Sequence, residues 1–491
     1  MVKQFGLNVF LVLLIFVSAL CTRTVIYVTE AQNDKKQSAG AQAVSGSTSQ
    51  LSIDVGQAQR HLAEALRFKT ISHFQPAQRD YQPFIDFQLW FAQRYPRLHQ
   101  QLARTVIADH TMLFHWQGQS SEQSALISAH YDVVPTPNAQ QWQYPPFSGQ
   151  IADGYIWGRG ALDNKGAVIA IAEAIELALA QGIVPQHDLY IAFTHDEEIG
   201  SLDGAQGVSQ YFTEREIALA WSLDEGSFVF TGMFPGVDEA VASINLSEKG
   251  YLNVTLTAHA EAGHSSIPPQ ATAVDILASA LVNIRHMPMD NNIDELTNAM
   301  FKQLAPYMSF DKQLVFANQW LFGGLLENRL AANPITNALT NTTVAPTMLS
   351  GSIKPNVLPQ TAEAVINLRI HPKQTVAQVV EHLSTAINDK RVSVNVMREM
   401  EASKVADYQS KSFKLLAKTT RTVFDNPVVI PGLTVAATDS RYYSQVAQNS
   451  YRFNPILLSK KELAGFHGLN ERISTDNLHK SIMFYYTIFN Q

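Results

Sequence analysis

Residues 166–194 read GAVIAIAEAIELALAQGIVPQHDLYIAFT, and this stretch decides the fold. Its first half, Gly166–Ala180, is strongly apolar and ends just before a glycine, which predicts a buried helix. Its second half ends in Leu189–Thr194, an apolar run of strand length. Similar runs occur at Ala125–Ser128 and Ala218–Leu223. Because apolar strands alternate with helices, the sequence predicts an α/β fold with a mainly parallel sheet that is buried on both faces.

The pattern changes after Glu248, where apolar and polar residues begin to alternate with the period of a strand that has one face in water. The alternating segments are Tyr251–Ala258, Ala364–Ile370 and Arg391–Met397, and helical patterns lie at Ala273–Ile284 and Val376–Ile387. This predicts a smaller sheet with helices on one face, inserted into the larger domain. An apolar stretch, Leu314–Leu326, interrupts the alternation.

These patterns predict five segments. They are a membrane anchor or signal segment (1–28), a flexible linker (29–50), the first part of a catalytic domain (51–247), an inserted domain (248–400) and the second part of the catalytic domain (401–491).

Composition excludes several classes of protein. Only 16% of the 491 residues are charged and 46% are hydrophobic, which argues against intrinsic disorder. The net charge of -7 offers no basic excess for nucleic-acid binding. Cys21 is the only cysteine, so an internal disulfide, a cysteine-rich zinc module and an iron–sulfur cluster are excluded. A metal site would therefore use histidines and carboxylates.

The N-terminal segment predicts attachment to a membrane. Phe5–Leu20 is apolar except for Asn8, and apolar residues resume at Val25–Val28. We favour an uncleaved anchor, with a cleaved secretory signal as the alternative. Lys3 favours a cytoplasmic N-terminal end, which would leave the catalytic domain outside the cytoplasm.

Acids and histidines collect at three predicted strand ends: His130-Tyr131-Asp132, His195-Asp196-Glu197-Glu198 and Asp224-Glu225. Functional groups gather at the carboxyl ends of strands in open α/β sheets. So many carboxylates at one edge would repel each other unless a cation, such as a pair of divalent metal ions, offsets their charge. Asp163 lies in a glycine-flanked turn and is the candidate bridging ligand, and Asp132 is placed to orient His130.

Five ordered motifs resemble the dizinc aminoacylase and carboxypeptidase family, most closely its carboxypeptidase S and N-fatty-acyl-amino-acid hydrolase branch. They are SAHYDVV (128–134), WGRGALDNKGA (157–167), THDEEIG (194–200), SLDEG (222–226) and GFHGLNERIS (465–474). The resemblance extends from about residue 55 to the C-terminus. It implies a zinc-exopeptidase (phosphorylase/hydrolase-like) catalytic domain and a ferredoxin-like lid, through which such enzymes form homodimers.

The resemblance also implies a role for each matching residue. The chain would hold two Zn²⁺ ions, with Mn²⁺ or Co²⁺ as alternatives. His130 and Asp224 would bind one ion, Glu198 and His467 would bind the other, and Asp163 would bridge the two. Glu197 matches the catalytic general base. The peptide bond from Asp163 to Asn164 is expected to be cis. Glu225 and His195 are left as structural residues.

Three further residues match positions that contact the substrate in the family. His264, in Gly263-His264-Ser265-Ser266, would polarise the scissile carbonyl, often across a dimer. Arg441 and Asn356 resemble residues that bind the substrate carboxylate, for which the planar fork of an arginine is suited.

The predicted function is therefore hydrolysis of an amide bond next to an amino acid with a free carboxylate. The substrate is a short peptide or an N-acyl amino acid. Leu314–Leu326 would favour the second if it lined an acyl channel, but it is equally an ordinary core segment. A non-catalytic binding protein on the same fold, or a related dipeptidase or aminopeptidase, remains the alternative.

Overall fold

The structure, a computed structural model, describes residues 2–39, 54–234, 236–287 and 293–490. Its strands are β1 (Ala103–Ile107), β2 (Thr111–Trp116), β3 (Ser120–His130), β4 (Gln150–Ala152), β5 (Tyr155–Trp157), β6 (His187–Thr194), β7 (Leu219–Asp224), β8 (Val229–Thr231), β9 (Val241–Glu248), β10 (Gly250–His259), β11 (Gly263–His264), β12 (Thr343–Ser350), β13 (Val357–Leu358), β14 (Thr361–Ile370), β15 (Val392–Met400), β16 (Val428–Thr434), β17 (Ala447–Arg452), β18 (Leu457–Ser459) and β19 (Arg472–Ser474).

Helices separate most of these strands. They are α1 (Val2–Ala39), α2 (Val55–Ala65), α3 (Gln82–Arg94), α4 (Pro96–Gln101), α5 (Lys165–Ala180), α6 (Ala205–Glu214), α7 (Ala273–Arg285), α8 (Glu295–Leu304), α9 (Phe310–Ala317), α10 (Gln319–Ala332), α11 (Pro334–Thr340), α12 (Val376–Ile387), α13 (Lys411–Val423), α14 (Ser440–Tyr443), α15 (Lys460–Leu463) and α16 (Thr475–Phe489).

The large sheet is mixed, with parallel strands at its centre, as predicted. Its strand order is β1-β2-β6-β3-β7-β17-β9-β8-β18, and β16 pairs with β9 outside this path. The neighbours β6, β3, β7 and β17 all run parallel. Both faces are covered, because alternate residues of β3 join different cores: Ile127 packs with helix α5, and Leu126 packs with helix α6. The stretch 166–194 accordingly forms the buried helix α5 and the strand β6.

The small sheet has the order β12-β14-β10-β15 and is antiparallel throughout. Its elements follow the chain as β10-α7-β12-β14-α12-β15, which is the ferredoxin-like arrangement. Apolar residues on one face pack against α7 and α12. Strand β12 is largely exposed, as predicted for a sheet that is open to water on its other face.

The helices α8 to α11 lie within the range predicted as the inserted domain, yet they pack against the large sheet. Phe301 and Leu326 share a core with Val241 of β9 and with Ile430 of β16. The stretch Leu314–Leu326 therefore joins a core at the edge of the large sheet and not the core of the small sheet. The order of elements along the chain does not reveal which sheet these helices contact, because an apolar helix packs against whichever neighbouring surface is complementary to it.

Helix α1 continues to Ala39, so residues 29–39 are helical where a flexible linker was predicted. The rest of the predicted linker, residues 40–50, lies outside the described residues. Within α1, residues 4–33 form the helix that is long and apolar enough to cross a membrane. The end of its continuous apolar run is docked, because Asn318 Nδ2 donates to Leu20 O (3.3 Å) and to Thr24 Oγ1 (3.1 Å). Further along α1, Glu30 Oε2 lies 3.3 Å from Lys302 Nζ and Ala31 is buried, which favours helix over coil there.

Candidate metal centre at the edge of the large sheet

The carboxyl ends of three adjacent parallel strands bring the predicted acids and histidines together. His130 is the last residue of β3 and lies opposite Thr194 at the end of β6. Strand β7, on the other side of β3, ends at Asp224. Because parallel strands end at the same edge, the residues that follow them form one cluster.

Asp163 lies between the two histidines of the cluster. Its Oδ1 is 3.0 Å from His130 Nε2, and its Oδ2 is 2.7 Å from His467 Nε2. The peptide bond from Asp163 to Asn164 is cis, as expected. Glu198 completes the second half of the cluster, with Oε2 lying 3.3 Å from His467 Nε2.

Asp132 is fully buried and contacts both His130 and the turn that carries Glu197 and Glu198. Its two oxygens accept hydrogen bonds from the backbone N–H groups of Glu197 (3.3 Å) and Glu198 (3.2 Å). Its Oδ1 also lies 3.2 Å from His130 Nδ1. One carboxylate thus contacts both a histidine and the turn that carries the Glu197-Glu198 pair.

At the end of β7, the structure places Glu225, which the sequence analysis left as a structural residue, in contact with His130. Glu225 Oε1 lies 3.4 Å from His130 Nε2, and Glu225 forms a compact group with His130 and Asp163. Asp224, the predicted ligand, is buried but does not join this group. Glu225 lies just beyond the end of β7, where strand alternation no longer sets the direction of its side chain. The order Asp-Glu in the sequence therefore does not reveal which acid contacts His130.

The electrostatics of the cluster reflect its excess of acids. Burial raises the pKa of Glu198 to about 8, and the charge of Asp163 adds to this effect. Contacts with Asp163 and Glu198 raise the pKa of His467 to about 10. Burial alone would lower the pKa of His130, but Glu225 and the neighbouring carboxylates outweigh burial and raise it. The cluster therefore favours positive charge at its centre.

The donor set fits divalent metal ions. Four buried carboxylate oxygens lack a hydrogen-bond partner within the described part of the chain: Glu198 Oε1, Asp224 Oδ2, Glu225 Oε2 and Asp439 Oδ1. Such oxygens are costly to bury unless a cation or donor satisfies them. Of the three groups of ligand atoms in the described residues that could hold a metal ion, two lie in this cluster, namely His130-Asp163-Glu225 and Asp163-Glu198-His467, and Asp163 belongs to both. Imidazole nitrogens with carboxylate oxygens suit Zn²⁺.

Glu197 and Arg441 face each other beside the cluster. Arg441 Nη2 lies 3.9 Å from Glu197 Oε1, and both side chains are about nine-tenths buried. Arg441 Nε donates to Thr438 O at 2.7 Å, which fixes the guanidinium in place. The structure thus places the predicted base and the predicted carboxylate-binding arginine together.

His264 and Asn356 lie elsewhere. They belong to the short strand pair β11-β13 and its turn, where Ser265 N donates to Asn356 O at 3.3 Å. Both residues are exposed, and His264 Nδ1 lies 2.7 Å from Ser266 Oγ. The contacts that the structure gives for His264 and Asn356 are all local, so it does not bring them to the metal cluster.

Two buried acids support the site and were missed by sequence reasoning. Glu471 accepts hydrogen bonds from the N–H groups of Leu162 (2.7 Å) and Asp163 (3.1 Å) and pairs with Arg159. Asp439 accepts a hydrogen bond of 2.6 Å from Thr194 Oγ1 at the end of β6. Glu471 lies within the motif 465–474, and Asp439 lies two residues before Arg441. Their closeness in sequence to predicted site residues was the signal that could have identified them.

The sequence is similar to those of known metallopeptidases and related hydrolases. Residues 126–491 match the family described as peptidase family M20/M25/M40. The N-fatty-acyl amino acid synthase/hydrolase PM20D1 of Mus musculus is 39% identical over 431 residues, covering 86% of this chain and 85% of that protein. The probable carboxypeptidase S-like 2 of Dictyostelium discoideum is 37% identical over 439 residues, covering 88% and 84%.

A solved structure shares the fold. The M20 family metallo-carboxypeptidase Sso-CP2 of Sulfolobus solfataricus superposes with a TM-score of 0.64 at 19% identity, covering 88% of this chain and 98% of that one. The family match, the two relatives and the acid-rich cluster agree with one another. The chain therefore belongs to peptidase family M20/M25/M40 and is a metal-dependent hydrolase.

Proposed function

We propose that this hydrolase holds two Zn²⁺ ions and cleaves an amide bond next to an amino acid with a free carboxylate. The observation that best supports this is the position of Asp163, whose two oxygens face His130 and His467 separately. A carboxylate shared by two groups of ligands is the arrangement that a metal pair about 3.5–4 Å apart requires. The proposed ligands are His130, Asp163, Glu198 and His467, with an acid from the end of β7: Glu225, which contacts His130, is favoured over Asp224, the ligand predicted from the sequence. The same donors also accept Mn²⁺ and Co²⁺.

Glu197 is the proposed general base. Bound divalent metal ions lower the pKa of a water molecule and polarise an amide carbonyl. Glu197 takes the proton from the attacking water and delivers it to the leaving amine. Asp132 holds the backbone of Glu197 in place, and burial keeps bulk water away from this proton transfer.

Arg441 is the proposed binding residue for the substrate carboxylate. Its guanidinium lies beside Glu197. A substrate carboxylate bound to Arg441 would therefore lie about one amino-acid residue away from the general base. The leaving group is then an amino acid. Among relatives, one is named a fatty-acyl amino acid synthase/hydrolase and another a carboxypeptidase, so N-acyl amino acids and short peptides are both proposed substrates.

Glu197→Gln should lower kcat by about 10²–10⁴-fold, because the amide cannot accept the proton from water. Metal content should be unchanged, since Glu197 belongs to neither group of ligands. Release of leucine from N-acetyl-leucine and metal analysis of the same preparation check both results. Glu122→Gln, at an exposed position of β3, is the control. A variant with the wild-type rate would exclude Glu197 as the base.

Substitutions at the end of β7 identify the ligand. Glu225→Gln should lower metal content from about two ions per chain to about one, because His130 and Asp163 alone are a poor site. Asp224→Asn should retain both ions. Metal analysis after dialysis, with circular dichroism to verify folding, measures this. The reverse pattern would assign the ligand role to Asp224.

We further propose that the chain forms a homodimer in which His264 reaches the partner's site, because in the described chain His264 is exposed and makes only local contacts. Asn356 lies beside it and would act with it. The small sheet would then serve as lid and interface.

Co-expression of His264→Ala with Glu197→Gln tests this arrangement. Each variant alone should be nearly inactive. If His264 acts across the dimer, half of the dimers are mixed and each regains one intact site, so activity should return to about a quarter of the wild-type value. Activity that stays at the level of the single variants would show that His264 acts within its own chain or not at all.

The localisation proposed is a single-pass anchor formed by α1, with the catalytic domain outside the cytoplasm and secretion after cleavage as the alternative. The contacts of Leu20 and Thr24 with Asn318 favour an uncleaved helix, since cleavage would remove partners of a fully buried amide. After alkaline carbonate extraction the chain should remain in the membrane pellet, with its N-terminal peptide detected by mass spectrometry. Recovery of a soluble chain that lacks residues 1–28 would support secretion instead.

A further inference from the structure

A large apolar cavity lies between helices α8–α11 and the edge of the large sheet. Its volume is about 770 Å³, which is within the usual range for a small-molecule site. Most of its wall consists of aliphatic, aromatic and methionine side chains, among them Met300, Phe301, Val315, Leu325, Leu326 and Leu330. Three charged residues also line it: Asp311 and Arg329 are exposed and belong to the rim, and Lys312 is half-buried.

The inner end of this cavity is built by the segment that carries the metal centre. Ser227 and Asn245 line it, and Asn245 Nδ2 donates to Gly226 O at 3.4 Å. Gly226 directly follows the Asp224-Glu225 pair. Ser243 Oγ donates to Asn245 Oδ1 at 2.7 Å, so a group of polar side chains lies together at this end.

Aromatic rings also connect the cavity to the other side of the metal centre. Phe466, next to the ligand His467, contacts the ring of Phe228 with centroids 5.6 Å apart. Phe228 in turn contacts Phe230 at 6.0 Å, and Phe230 lines the cavity. Packed side chains therefore connect the wall of the cavity to the segments that carry both halves of the site.

The outer end lies beside the membrane-type helix. Leu325 of α10 lines the cavity and is 54% exposed. Five residues earlier in the same helix, Trp320 is 61% exposed and packs edge-on against Phe16 of α1, with ring centroids 6.1 Å apart. Because Phe16 lies in the apolar part of α1, the exposed face of α10 meets the bilayer surface when α1 spans it. Tryptophan is enriched at that depth.

We propose that this cavity binds the acyl chain of an N-acyl amino acid and receives it from the bilayer through the mouth at α10. This rests on the proposed amide hydrolysis and on the proposed anchor. An unbranched acyl chain needs no hydrogen bonds along its length. A peptide would carry an N–H and a C=O at each residue, which the apolar wall does not satisfy. The amide end of the substrate then lies at Ser227 and Asn245, on the side of the metal centre.

The test uses the full chain in phosphatidylcholine vesicles, with N-palmitoyl-leucine in the bilayer and N-acetyl-leucine in the water. Leu325→Trp fills the mouth of the cavity. It should lower the ratio of N-palmitoyl-leucine to N-acetyl-leucine hydrolysis about tenfold, the effect of displacing about two methylene groups from apolar contact. Leu321→Trp, on the same helix but outside the cavity wall, should leave the ratio unchanged.

A binding measurement complements the kinetics. N-palmitoyl-leucine with a diazirine at the end of its acyl chain, irradiated with Glu197→Gln protein in vesicles, should label peptides from residues 295–340. Labelling elsewhere, or a ratio that Leu325→Trp does not change, would overturn the proposal. Wild-type protein that cleaves N-acetyl-leucine but not N-palmitoyl-leucine would overturn it and leave the proposed hydrolysis intact. Failure to cleave either substrate would reject both.

Discussion

The structure depends on an electrostatic constraint at one edge of the large sheet. Asp163, Glu198 and Glu225 lie within hydrogen-bond or near-contact distance of two histidines, and they are nearly or fully buried. Carboxylates in such positions repel one another and lose their hydration, so the arrangement is stable only with positive charge among them. Divalent metal ions supply that charge in a smaller volume than cationic side chains would occupy. The rest of the catalytic domain holds the ligands in place against their own repulsion.

The supporting residues do this through backbone hydrogen bonds. Asp132 accepts from the two N–H groups of the turn that carries Glu197 and Glu198, and Glu471 accepts from the turn that carries Asp163. A carboxylate that binds two backbone donors fixes a loop more firmly than a single side-chain contact does. Both turns are thereby positioned before any ligand binds, which is the preorganisation that catalysis by charge stabilisation requires.

The helices α8–α11 link two parts of the molecule that are distant in sequence. They close the core at β9 and β16, form one wall of the apolar cavity and hold the end of the continuous apolar run of α1 through Asn318. The proposed anchor is therefore attached to the catalytic domain by packing as well as by the chain. In this arrangement a substrate dissolved in the bilayer would have only a short path to the metal centre.

The sequence by itself determined the α/β class, the small sheet with one open face and the acids and histidines that follow the strands. Hydrophobic period and strand-end chemistry are local properties, and they can be read without coordinates. The tertiary structure alone brought Glu225 into contact with His130, because the direction of a side chain at a strand end depends on how that end is oriented. It also placed Leu314–Leu326 beside a cavity at the large sheet, since burial of an apolar helix depends on which surface it meets in space.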